Sequence, residues 1–189
     1  MAFATTVIGR GKLWIAEWTG DDYVTPPEEG GYEEVGNCKD IVINAKIEEK
    51  EHQDYQAGMK VIDDVVSFFA EYTGSFTTDN ITKKNLMRWL MGTETANAVR
   101  LLTALSKKYA LRLVEANAKG PNTTWNFWRC QVKPDGDLKL ISDDFRELKF
   151  TFRTLKDDTN HPDEPFGTQT YTTTTTTTST TTTTTTTTT

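Results

Sequence analysis

Two long, consecutive extended segments constrain this chain more than any other feature. Over residues 41–50 the side chains alternate: Ile41, Ile43, Ala45 and Ile47 fall on one side, Val42, Asn44, Lys46, Glu48 and Lys50 on the other. Successive side chains of a strand point to opposite faces, so this is a strand with one apolar and one polar face. A polar bend over residues 51–58 follows, and then a run over residues 59–73 rich in the β-branched and aromatic types that fit a pleated surface. The pair forms a hairpin. Its second arm, continuous at about 3.3 Å per residue, would reach roughly 50 Å. That exceeds a strand of an ordinary small domain, so part of the hairpin projects from the core. The projecting part leaves rows of N–H and C=O groups that need partners.

The remaining pattern is also mostly extended. Residues 12–18 alternate Leu13 and Ile15 against Trp14, Ala16 and Trp18, which predicts a strand; residues 20–31, with Pro26, Pro27, Gly30 and several acids, form a loop, and residues 32–35 a short strand. A helix is expected up to about Met91, with Thr78 or Asp79 accepting the unpaired N–H groups of its first turn and Gly92 ending it. Ile81, Asn85, Leu86, Trp89 and Leu90 recur at helical spacing and give it one face for packing on a sheet. Residues 99–105, 109–117 and 125–133 read as three strands, with Leu111, Leu113, Trp125 and Phe127 as core contacts. Pro134, Asp135, Gly136 and Asp137 form a turn into a return strand over residues 138–141, and the last strand, residues 145–155, places Leu148, Phe150 and Phe152 on one face. The expected fold is mainly β, a β-sandwich or β-barrel with one flanking α-helix and a projecting hairpin. Residues 1–167 make up this domain. Residues 168–189 are a threonine-rich tail, unbroken from Thr172 except for Ser179, with too little to bury to fold alone.

Charge and reactive side chains exclude several functions. The formal net charge is -6 and there is no cluster of five or more lysines and arginines, which argues against a chain that wraps a phosphate backbone. Cys38 and Cys130 are far apart and have no nearby histidines, so neither zinc nor a disulfide framework is expected, and folding in a reducing cytosol fits. No apolar stretch is long enough to span a membrane and no signal peptide is recognisable. The two histidines, His52 and His161, fall at a hairpin bend and before Pro162. The acidic pairs Asp21-Asp22, Asp63-Asp64, Asp143-Asp144 and Asp157-Asp158 lack the spacing of a calcium loop. Gly9-Arg10-Gly11-Lys12 has the wrong spacing for a phosphate loop. No catalytic, cofactor or metal site is expected.

Several segments, in order, resemble the major tail proteins of long-tailed bacteriophages. These are Gly9-Arg10-Gly11-Lys12-Leu13-Trp14-Ile15-Ala16, then Glu34-Val35-Gly36-Asn37, then Ser75-Phe76-Thr77-Thr78-Asp79-Asn80-Ile81 leading into Asn85-Leu86 and Leu90-Met91-Gly92. Residues 133–145, from Lys133-Pro134-Asp135-Gly136 to Phe145, with Leu148, resemble that family's late hairpin and final strand. The resemblance implies a tail tube subunit in the virion, folded in the host bacterial cytoplasm, forming stacked hexameric rings whose channel is walled by the long hairpins. It also implies other tail proteins (tape measure, terminator and distal tail) as partners, double-stranded DNA passing through without specific binding, and no membrane. On that expectation Asn44, Lys46, Glu48, Lys50, Lys60 and Asp64, with Ile62, face the lumen, the lysines being offset by Glu48, Glu49 or Asp64. Asp21, Asp22, Glu28, Glu29, Glu51, His52 and Asp54 are placed for contacts between rings. The threonine tail departs from the family pattern. A tube in a contractile injection machine fits the same features. A different class is a β-sandwich binding module using Trp14, Trp18, Trp125 and Trp128 as a carbohydrate or peptide platform.

Overall fold

The computed structural model describes residues 9–19, 27–54, 61–117, 121–141 and 143–172. Its main sheet contains β1 (Gly11–Glu17), β2 (Glu33–Gly36), β3 (Cys38–Asp54), β4 (Val61–Thr78), β7 (Tyr109–Glu115), β8 (Asn122–Pro134), β9 (Leu148–Thr154) and β10 (Thr168–Thr172); β5 (Thr93–Glu94) and β6 (Val99–Arg100) form a separate small hairpin, and α1 spans Lys83–Trp89. The strand order is β2-β1-β7-β8-β9-β4-β3, with β10 on β8. Every pairing is antiparallel. β2 and β3 stand at opposite ends of this order, yet only Asn37 separates them in the chain. The sheet therefore curls until its two ends meet, which agrees with a mainly β fold carrying one flanking helix.

The curl encloses the core. Leu13 and Ile15 of β1, Val35 of β2, Phe76 of β4, Leu111 of β7, Phe127, Cys130 and Val132 of β8, and Leu148, Phe150 and Phe152 of β9 are all buried there. The period-two pattern of β9 places Lys149, Thr151 and Arg153 on the outer face. Phe76 lies opposite Phe150, their rings stacked with centroids 4.9 Å apart, a pair contributing roughly 0.5–1.5 kcal/mol beyond its burial.

Several local expectations are corrected. β4 continues through Thr78, whose buried hydroxyl donates to the Asn37 carbonyl at 3.0 Å, so neither Thr78 nor Asp79 caps the helix. Pairing with β3 and β9 claims this backbone first, and the cap passes to Thr82, which accepts from the Asn85 N–H. The helix ends at Trp89 with Met91 in the left-handed region (φ 47), where the Met91 and Gly92 N–H groups return to Arg88 and Met87 carbonyls. Asn85 is buried but polar, donating to the Val35 and Asn80 carbonyls at 2.8 Å, and it ties α1 to β2. Residues 99–105 form a strand only at Val99 and Arg100; Leu101, Leu102 and Leu105 are exposed. Residues 138–141 are not a strand and Phe145 precedes β9, because β8 pairs directly with β9 and leaves no edge for them. Gly136 does turn the chain with φ 68. The sheet also takes in β10, which begins beyond Gly167 and pairs with residues 122–126 of β8.

Candidate assembly surface

The long hairpin is confirmed and is longer than expected, since β3 has 17 residues and β4 has 18. β3 runs through Glu51, His52 and Asp54, which pair with Val65, Asp64 and Val61, so these three residues are strand and not bend. β9 supports β4 only over Thr73–Thr78. One residue further out, the Thr154 hydroxyl bonds both the N–H and the C=O of Tyr72, at 3.0 and 3.1 Å, and terminates that support. Beyond Tyr72 the hairpin is a two-stranded arm extending for roughly 30 Å at 3.3 Å per residue. Among the described residues no third strand pairs with either of its edges.

Gly74 sits where the arm leaves the body. A Cβ there would lie 2.4 Å from the Val42 carbonyl oxygen and 2.5 Å from the Phe152 ring, so only glycine lets β3, β4 and the core ring approach so closely.

The register assigns the arm's faces. Opposed residues of an antiparallel pair share a face. Ile43, Ala45 and Ile47 oppose Gly74, Tyr72 and Ala70; Glu49 and Glu51 oppose Ser67 and Val65 on the same face, which Ile62, three residues before Val65 across a bulge, shares. Ile41 and Ile43 pack against the core, but Ile47 is 60% exposed, so the apolar face is covered by the body only at its base. Ile62 (50%), Val65 (48%) and Tyr72 (42%) extend this uncovered face. On the other face Asn44, Lys46 and Lys50 oppose Thr73, Glu71 and Val66, Glu48 lies between Lys46 and Lys50, and Asp64 opposes His52. Five of the six lumen candidates therefore share one face, and Lys60 lies outside the described residues. Ile62 is on the opposite face from Asp64, because irregularities in register put one extra residue of β4 between them. No alternation in the sequence announces such a bulge.

The charges of this face are partly offset. Lys46 pairs with Glu48 at 2.7 Å and Glu71 lies 3.6 Å from Arg153. The bond to Glu48, with the nearby charges, raises the pKa of Lys46. Of the residues expected between rings, Asp21 and Asp22 lie outside the described residues. Glu28 is exposed beside the short 3-10 turn Glu29–Gly31, and Glu29 is bound by the Arg112 guanidinium, which also covers the Tyr32 ring at 4.3 Å. That hydrogen bond lowers the Glu29 pKa.

The reactive side chains are scattered. His161 stacks on Trp128, with ring centroids 3.9 Å apart, and its Nε2 is 4.0 Å from buried Asp157, so it is a packing residue and not a solvated one. Burial pushes the Cys38 thiol up to about 11 and also raises Cys130. Among the described residues no three of His, Cys, Asp and Glu gather as metal ligands, and no helix is long and apolar enough to cross a membrane. Three of the four tryptophans considered for a binding platform are engaged within the chain, while Trp14 is half-buried beside Tyr32 and Arg112. Trp18 is buried and donates to the Trp128 carbonyl, Trp125 donates to Glu115 and stacks on Phe127, and Trp128 donates to the Glu164 carbonyl.

No curated protein sequence matches this chain. Among solved structures it is similar to one described as the cryo-EM structure of the anti-feeding prophage cap, the AFP tube terminating cap. The identity is 14%, the match covers 85% of this chain and 88% of that one, and the TM-score is 0.37. A family model matches residues 6–100 and 94–175, and the chain accordingly belongs to the family described as "Protein of unknown function UCP028589".

Proposed function

We propose that this protein is a non-enzymatic structural subunit that assembles with copies of itself through the β3–β4 arm, forming stacked rings of a phage tail tube. The observation that carries this reading is the arm itself. Its two edges have no partner strand among the described residues, and its apolar face is uncovered beyond Ile43. A two-stranded ribbon is marginal in water, and exposed edges pair with whatever strand is offered. Neighbouring arms supply matching edges, and closing them into a barrel removes every edge at once. In that arrangement Ile47, Ile62 and Val65 lie against adjacent bodies, while the face bearing Asn44, Lys46, Glu48, Lys50 and Asp64 lines the channel through which DNA passes. The tube of a contractile injection machine satisfies the same constraints. Hexameric rings and contacts with a tape measure, terminator and distal tail protein belong to this proposal, as does a location in the virion tail.

The test is negative-stain electron microscopy and light scattering on the purified full chain over a range of concentrations. Rings or tubes with a central pore are expected. A compact monomer persisting at high concentration counts against the proposal.

A further inference from the structure

The outer face of the sheet carries a second feature, next to the base of the arm. The register aligns Asn44, Thr73, Arg153 and Gln131 in one row across β3, β4, β9 and β8. A neighbouring row places Ser75, Thr151 and Lys133 side by side. These side chains line one groove. All seven can donate hydrogen bonds, and they flank buried Val132, Phe150 and Phe152, which fixes them outward.

The charge around the groove is unbalanced. Among its lining residues the carboxylate is Asp135, and Glu71 lies 3.6 Å from Arg153. Lys133, Arg129 and Lys108 have no carboxylate at ion-pair distance among the described residues. The Arg129 guanidinium stands over the Trp18 ring at 5.7 Å, and its buried Nε has no hydrogen-bond partner among the described residues. Burial, and then the cations Arg129, Lys133 and Arg153, hold Lys108 below the ordinary lysine range. Cations gathered in a chain of net charge -6 call for an anion from outside. The net charge governs long-range steering, whereas this patch acts at contact distance.

We propose that this groove is a phosphate-binding site, in which Arg153 and Lys133 pair with phosphate oxygens and the hydroxyl and amide groups of Thr73, Ser75, Thr151, Asn44 and Gln131 complete the contact. The ligand is free phosphate or the phosphate of a polynucleotide backbone. The site is complete within one copy, so it holds whether or not copies assemble.

The experiment titrates the full chain with inorganic phosphate and, separately, with a short DNA duplex, each over a salt series starting at about 50 mM. The wild type is compared with the paired variant Arg153→Gln and Lys133→Gln, and with Lys12→Gln as a control on another face. Saturable binding is expected, weakened about tenfold or more in the paired variant and unchanged in the control. Duplex binding with a log-log salt slope of about −2, reduced by about 1 in Lys133→Gln alone, assigns the site to a polynucleotide. Phosphate binding without duplex binding assigns it to the free ion. Thermal melts verify that the variants fold; if the paired variant does not, Lys133→Gln alone carries the test. Failure of both probes to bind at the lowest salt overturns the proposal, as does equal binding by wild type and folded variant. Loss of self-association in the variant without phosphate binding also overturns it, by assigning the patch to carboxylates of a neighbouring copy.

Discussion

Replacing Ile47 and Val65 together by lysine separates the stability of one copy from the stability of the assembly. Ile47 is 60% exposed and Val65 48% exposed in the isolated chain, on the arm face beyond the core. Fully burying such a side chain contributes about 1.5–3 kcal/mol. Covering the exposed half of each in an interface therefore contributes about 1 kcal/mol per residue, or roughly 2 kcal/mol for the pair. The lysine ammonium groups must also be desolvated or turned aside, which adds about 1 kcal/mol or more. The expected total is about 3 kcal/mol at each subunit contact, or two orders of magnitude in association at 1.4 kcal/mol per tenfold. Within the monomer these are surface substitutions, so its unfolding free energy should change by no more than about 0.5 kcal/mol. Light scattering against concentration reads the first quantity and denaturant melts of the dilute protein read the second. A variant that assembles like the wild type would refute the reasoning. So would one destabilised by several kcal/mol as a monomer, since the arm face would then be packed within a single chain.

Gly74→Ala should destabilise the monomer by about 1–3 kcal/mol, measured by denaturant melts, because the added methyl meets backbone and an aromatic ring with no room to yield. Thr82→Ala removes the side chain that accepts from the Asn85 N–H and should cost about 1 kcal/mol, with Thr82→Ser restoring most of it and Thr78→Ser leaving the helix cap intact. Glu33 receives a hydrogen bond from Lys84, which with Arg88 lowers its pKa despite the opposing effect of burial, so its folded-state pKa is below its unfolded one. Its contribution is therefore present above the ordinary carboxylate range and is lost as pH falls through the folded pKa. Melts from pH 7 to pH 2 should show Glu33→Gln destabilised at neutral pH by only about 0.5–1 kcal/mol, given its exposure, with the difference vanishing in acid.

What the sequence disclosed follows from which forces act locally. Period-two alternation at Leu148, Phe150 and Phe152 reports burial of one face, and at Ile41 and Ile43 it reports packing on the core; both strands are where the alternation places them. The hairpin was legible from its β-forming residues, although both arms are longer than the pattern predicted. The helix start was not, because Thr78 and Thr82 are both acceptable caps in isolation and the choice is made by β9, whose pairing with Thr78 is a contact between residues 70 apart. The apolar run at Leu138, Leu140 and Ile141 resembles a strand, but only Leu138 packs on the core, since β9 occupies the edge it needed. The bulge beside Asp63 was hidden for a related reason. Both registers bury equally little on an exposed arm, so hydrophobic pattern does not specify which is used. The phosphate groove was equally invisible, being assembled from single polar residues on four strands, none of them in a motif.

The body and the arm stand in different thermodynamic positions. The body buries aromatic and aliphatic side chains from six strands around Phe76, Phe127, Phe150 and Phe152, and its helix is tied to the sheet by Asn85 and by the Trp89 indole, which donates to the Lys149 carbonyl. It has what an independently stable domain needs. The arm has backbone pairing and a half-wet apolar face, and a lone ribbon of that kind hardly offsets the entropy of ordering it. In the proposed assembly a neighbour that adds an edge would satisfy peptide groups and cover Ile47, Ile62 and Val65 in one event, so the ordering cost would be met at the moment of association. The transition lies at Gly74 and Tyr72, where β9 ends and the Thr154 hydroxyl closes the last pair of peptide groups on behalf of the body. On the proposed reading a subunit built this way would fold before it meets its neighbours, while the element that joins them would gain its stability only from the contact.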